Sequence, residues 1–120
     1  MVNALGKALR NLRMDRDWLL KEMADGVGVS SSFLSAIETG KKAIPDDLVD
    51  RIVKWGKLTR QEERALERAF AQSVEEVRIR LPKTLSADDR EAAAVLARSF
   101  GSLPSDDLAA IRAIIDRRKA

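Results

Sequence analysis

Between Ser30 and Lys42 the chain carries Ser30, Ser31, Ser32, Ser35, Thr39, Lys41 and Lys42. Hydroxyls donate or accept a hydrogen bond and ammonium groups neutralise anions, so this run suits contact with a polar, anionic partner. Covalent chemistry has little to draw on. With no Cys and no His, the sequence lacks thiol nucleophiles, disulfides, ordinary zinc sites and His general bases. The pairs Asp46-Asp47, Asp88-Asp89 and Asp106-Asp107 resemble paired catalytic acids only superficially. Each falls where the first turn of a helix is expected, and the helix dipole accounts for it there. No catalytic residue, metal site or cofactor is expected, and the chain does not read as an enzyme.

The hydroxyl run must be held in place, and Leu20 to Gly40 supplies the means. Ala24 is small where two short helices cross steeply, and a larger side chain would force them apart. Gly28 provides the left-handed turn that ends the first of them. Ser30 is a good N-cap for the second. Leu34 and Ile37 then turn its apolar stripe back onto Met23 and Val27. This is a helix-turn-helix, whose second helix can be offered to the major groove of DNA.

Composition fits that reading. The chain has 120 residues and a formal charge of +3, a mild basic bias that permits a nucleic-acid partner without demanding one. Aromatics are scarce (Trp18, Phe33, Trp55, Phe70 and Phe100), which argues against a stacking platform for single strands. No signal peptide or apolar run of membrane-spanning length is visible, so no membrane partner is expected and a cytoplasmic location is.

Almost everything reads as helix. Asn3 caps a first helix with Leu5, Leu9 and Leu12 on its apolar face; Asp17 is expected to cap a second over about Trp18 to Asp25. A third runs from about Ser31 to Thr39, stopped by Gly40. Pro45 suits the first turn of a fourth, with Leu48, Ile52 and Trp55 inward and Gly56 at its end. Thr59-Arg60-Gln61-Glu62 matches a capping box that opens a fifth, burying Leu66, Ala69 and Phe70. Val77-Arg78-Ile79-Arg80-Leu81 alternates apolar and basic residues, which predicts a short strand that pairs with its copy in a second subunit. Ser86 opens a sixth helix through about Phe100, closed by Gly101. Ser105 opens the last, striped with Leu108, Ile111, Ile114 and Ile115. The expected architecture is all-α: a five-helix domain over residues 1–70, a linker at 71–85 with the possible dimerisation strand, and a helical hairpin at 86–120 for dimerisation or partner binding. Arg10, Arg16 and Lys21 read as surface charges, and Trp18 and Trp55 as core.

The first 58 or so residues resemble the phage-repressor/Cro-like (XRE) helix-turn-helix family, a lambda-repressor-like fold. The resemblance rests on Leu9-x-x-Leu12-Arg13, Glu22-Met23-Ala24, Gly28-Val29-Ser30, Phe33-Leu34-Ser35-x-Ile37-Glu38-x-Gly40, and Pro45 with Leu48. It implies that Ser31 and Ser32 face base edges, with Ser35 and Ala36 about one turn later on the same side. It implies phosphate contacts from Thr39, Lys41 and Lys42, and a largely structural pairing of Arg13 with Glu38. The implied function is a sequence-specific transcriptional regulator, a repressor acting as a homodimer on a palindromic operator in double-stranded DNA.

Two departures shape the expectation. Leu19-Leu20 stands where many members carry Thr-Gln, which removes a phosphate-clamping amide. The recognition face carries only Ser, Ala and Thr, which discriminate bases less than bidentate Arg, Asn or Gln at about 1–3 kcal/mol each. Specificity then leans on Ser31 and Ser32, ordered water, DNA shape and dimer spacing. These departures also support an alternative, a protein-interaction module (an antitoxin or anti-regulator) that binds a toxin or regulatory protein on a helix-turn-helix scaffold.

Overall fold

The computed structural model describes residues 1–119. It divides into two units, Met1–Val77 and a second from Arg78 on. The first contains α1 (Ala4–Arg16), α2 (Leu20–Val27), α3 (Ser31–Glu38), α4 (Leu48–Gly56) and α5 (Arg60–Ser73). Its apolar core brings Leu5, Leu9 and Leu12 of α1 against Met23, Ala24 and Val27 of α2, Leu34 and Ile37 of α3, Leu48, Val49 and Ile52 of α4, and Leu66 and Ala69 of α5. In each helix these positions are spaced by three or four residues, with Met23-Ala24 and Leu48-Val49 as adjacent pairs, which gathers them on one face. α1 packs on α5 and α3, while α2 packs on α3 and α4.

The helix ends follow local chemistry. Asn3 Oδ1 accepts from the Gly6 N–H at 2.7 Å. At α5 the Thr59 hydroxyl and the Glu62 carboxylate exchange capping bonds with each other's backbone N–H. Four helices end in one pattern. A left-handed residue (Asp17, Gly28, Gly40 or Lys57) is followed by an N–H that reaches back five residues, as Trp18 to the Arg13 carbonyl at 2.8 Å and Val29 to the Ala24 carbonyl at 3.0 Å. These are Schellman turns, which satisfy carbonyls a helix end would leave orphaned.

Several expectations change. Asp17 does not cap α2; at φ 56° it closes α1. Trp18 is then outside any helix, and α2 starts at Leu20 behind a Leu19 N-cap, with the Glu22 carboxylate accepting from the Leu19 N–H at 2.9 Å. Pro45 is not in the first turn of α4, because its carbonyl accepts the Leu48 N–H in a separate turn at 3.1 Å. Asp46 and Asp47 therefore precede α4, and Asp47 instead pairs with Arg51 at 2.9 Å. Gly56 is the last residue of α4 and Lys57 takes the left-handed position. Gly56 is required by space: a Cβ there would lie 2.5 Å from the Trp18 ring.

The strand expected at Val77–Leu81 is absent, and so is a continuation of α5, which ends at Ser73. The segment lies outside regular structure with Val77 and Ile79 exposed. Alternation makes a segment suitable for a ladder, but a ladder needs a partner strand and the described residues provide none.

The second unit holds α6 (Ala87–Ser99), a 3-10 turn at Phe100–Ser102 and α7 (Ser105–Lys119). The Ser86 hydroxyl caps α6, accepting from the Asp89 N–H at 3.0 Å. Gly101 does not close α6 in the left-handed region; the chain tightens into the 3-10 turn instead. Among the described residues of this unit none is buried, so its apolar stripes have no core to enter. No described helix is long and apolar enough to cross a membrane.

Candidate nucleic-acid interface

α3 is fixed at both ends and from behind. At its start the Ser30 hydroxyl accepts from the Phe33 N–H at 3.0 Å. Gly28 lies at φ 80°, and an added Cβ would meet nothing within 4 Å, so the backbone angle rather than space calls for glycine. Behind it Ala24 is fully buried. Arg51 of α4 donates to the Val27 carbonyl at 3.1 Å, satisfying the end of α2 beside the turn.

The far end of α3 is held by α1. Asn3 donates through its backbone N–H to the Glu38 carbonyl at 2.9 Å and through Nδ2 to the Ile37 carbonyl at 2.9 Å. Gly6 permits this approach, since a Cβ there would collide with the Glu38 carbonyl oxygen. The Glu38 side chain is 1% exposed. Arg13 grips it in a fork, Nη1 to Oε2 at 2.6 Å and Nη2 to Oε1 at 3.1 Å. Arg10 adds a third contact at 3.3 Å. A buried carboxylate is tolerated only when paired in this way. The pair locks the helix rather than offering chemistry to a ligand.

What α3 leaves outward is the hydroxyl run. Ser32 is exposed, and Ser31, Ser35, Ala36 and Thr39 are half-buried. Residues 32, 35, 36 and 39 share one face of an α-helix. Lys41 and Lys42 follow, both exposed, with their backbone N–H groups bonded to the Ala36 carbonyl at 2.8 and 3.2 Å. Their backbones are thus pinned while their ammonium groups face water. Thr39 differs from the serines. Its hydroxyl donates to the Ser35 carbonyl at 3.0 Å, so in this arrangement it offers lone pairs and no proton, which suits a phosphate poorly. The structure therefore gathers Ser31, Ser32, Ser35, Lys41 and Lys42 at one surface and turns Thr39 back on the helix.

Sequence reasoning missed several supports. Arg10 and Arg16, read as surface charges, both have carboxylate partners. Arg16 Nε donates to Glu62 at 2.9 Å, and its guanidinium sits 5.2 Å above the Trp18 ring. Trp18 in turn meets Trp55 at 4.5 Å between ring centres. The Arg16 hydrogen bonds, with help from the Thr59 backbone N–H, pull the Glu62 carboxyl from its ordinary 4.5 to about 2. This cluster braces α1 against the start of α5. A signal for part of it was present: Gly6, Gly26 and Gly56 interrupt helices at a propensity cost, which hints at close approach. At Gly26 the approaching group is the Trp55 indole.

Among the described residues no group of carboxylates is arranged to hold a metal ion. A family model described as a helix-turn-helix domain matches residues 4–66, more than half of the chain. No curated protein and no solved structure matches.

Proposed function

The chain belongs to the helix-turn-helix domain family, and from that premise we propose that it is a sequence-specific DNA-binding regulator that works as a homodimer and represses transcription. The observation that carries this reading is the hydroxyl face of α3, pinned by Asn3, Arg13 and Glu38 and followed directly by two exposed lysines. α3 enters the major groove with Ser31, Ser32 and Ser35 toward base edges. Lys41 and Lys42 neutralise phosphates beside the groove. Two copies present their α3 helices to half-sites about one helical turn, some 34 Å, apart. A dimer seated on a promoter blocks polymerase, which makes repression the mechanism. A cytoplasmic location is part of the same proposal.

Affinity in this scheme comes mainly from phosphate contacts, because no side chain on the α3 face can form a bidentate pair with a base. Operator preference is consequently moderate and responsive to DNA shape. The test is retardation of the DNA upstream of the protein's own gene across a salt series. Steep loss of binding with salt supports the reading. Lys41→Glu and Lys42→Glu should weaken all sequences alike, each lowering the salt slope by about 1 per subunit. A bulky replacement of Ser32 should change which sequence is preferred. Absence of retardation at low salt overturns the proposal.

One observation favours a second reading, a protein-interaction module for a toxin or regulatory protein. Leu19, where a phosphate-binding polar residue would serve, is 68% exposed and presents an apolar side chain at the start of α2. Under that reading Leu19→Ser abolishes capture of the partner protein and leaves DNA retardation unchanged.

A further inference from the structure

α6 displays one complete face. Asp88, Glu91, Ala92, Val95, Leu96 and Ser99 form an open face of the helix to which no described residue of α7 contributes. Val95 and Leu96 are 44% and 36% exposed there. Positions 88, 92, 95 and 99 alternate steps of four and three, the seam of a two-helix coiled coil. α7 repeats that seam with Leu108, Ile111, Ile115 and Arg118, and Ile115 is 48% exposed. Both helices run from an acidic start to a basic end. α6 opens with Asp88 and Asp89 and closes with Arg98, while α7 opens with Asp106 and Asp107 and carries Arg117 and Arg118 near its end.

Resting on the homodimer reading above, we infer that α7 of one copy lies antiparallel on this α6 face of a second copy, so that the dimer is closed by two equivalent α6–α7 contacts. Antiparallel docking brings Ile115 onto Val95 and Ile111 onto Ser99. It also places Arg118 over Ala92, flanked by Asp88 and Glu91. A parallel arrangement with Arg118 beside Ser99 would set Asp88 against Asp107 and Leu108 and Glu91 against Ala110 and Ile111, leaving the acidic pair without a cation. Charge therefore selects the antiparallel direction and matches the basic end of α7 to the acidic end of α6. A two-fold dimer makes the contact twice, so a single reversal is felt twice.

Light scattering and sedimentation of the full chain test this. Wild type should be a dimer. Glu91→Arg alone and Arg118→Glu alone should each raise the dimer dissociation constant at least about tenfold, since each sets like charges together at both contacts. An equal mixture of the two variants should recover wild-type affinity. In the mixed dimer one contact pairs the introduced arginine with the introduced glutamate, and the other keeps the original Glu91 and Arg118. A contact within one chain would gain nothing from mixing. If wild type is dimeric and the mixture dissociates as readily as the single variants, or the single variants dimerise like wild type, the α6–α7 contact is wrong and the homodimer stands. A wild type that stays monomeric at every concentration overturns both.

Discussion

At Glu38 a carboxylate has left water and received two guanidinium groups in exchange. Removing it strands Arg13, whose side chain is 10% exposed, whereas Arg10, at 48%, can turn outward. Glu38→Gln should therefore cost about 3 kcal/mol of stability in urea unfolding, and Arg10→Ala less than about 1. Equal losses would show that the fork is not what pins α3. Glu62 gives a prediction of different form. Its carboxyl titrates near 2 when folded, against an ordinary value of 4.5. Its contribution is thus complete above about pH 5 and disappears as the pH falls toward 2. The difference in melting temperature between wild type and Glu62→Gln should be present at neutral pH and vanish near pH 2; a constant difference would contradict the assignment. The Arg13–Glu38 pair was foreseeable only through a family resemblance. The Arg16–Glu62 pair was not foreseeable, because its members stand 46 residues apart and nothing in local spacing links them.

Among the elements, the four left-handed helix ends separate what glycine signals from what it does not. Gly28 and Gly40 could be read from the sequence, since the left-handed region is cheap only for glycine. Asp17 and Lys57 adopt the same conformation at φ 56° and 49° without any compositional sign, which is why the expected start of α2 lies too early. Strain at a non-glycine residue is relieved by removing its Cβ. Lys57→Gly should stabilise the protein by up to about 1 kcal/mol, while Gly28→Ala should destabilise it by about 1–2 despite open space around it. Thermal unfolding of both variants checks the pair, and a neutral Gly28→Ala would contradict the angle argument. The missing Val77–Leu81 strand has another cause. Period-two alternation describes which faces a segment would present, and says nothing of whether a neighbouring strand exists to receive it.

On the scale of the whole molecule, the two units differ in what sustains them. The first has a closed apolar core with both tryptophans packed against it. The second has helices of 13 and 15 residues and no buried residue among those described, a length at which isolated helices are marginal in water. Dilution should accordingly lower helicity by circular dichroism while the fluorescence of Trp18 and Trp55 stays constant. Loss of both signals together would mean that the units fold as one. Core positions of the first unit were legible because amphipathic periodicity needs no partner, whereas the role of the second depends on what covers it. The functional account turns on the outward face of α3, and amide chemical shifts of the full chain titrated with its upstream duplex at low salt test it most directly. Shifts concentrated at Ser31, Ser32, Ser35, Ala36, Lys41 and Lys42 are predicted; a duplex that binds elsewhere while those amides stay fixed would contradict it.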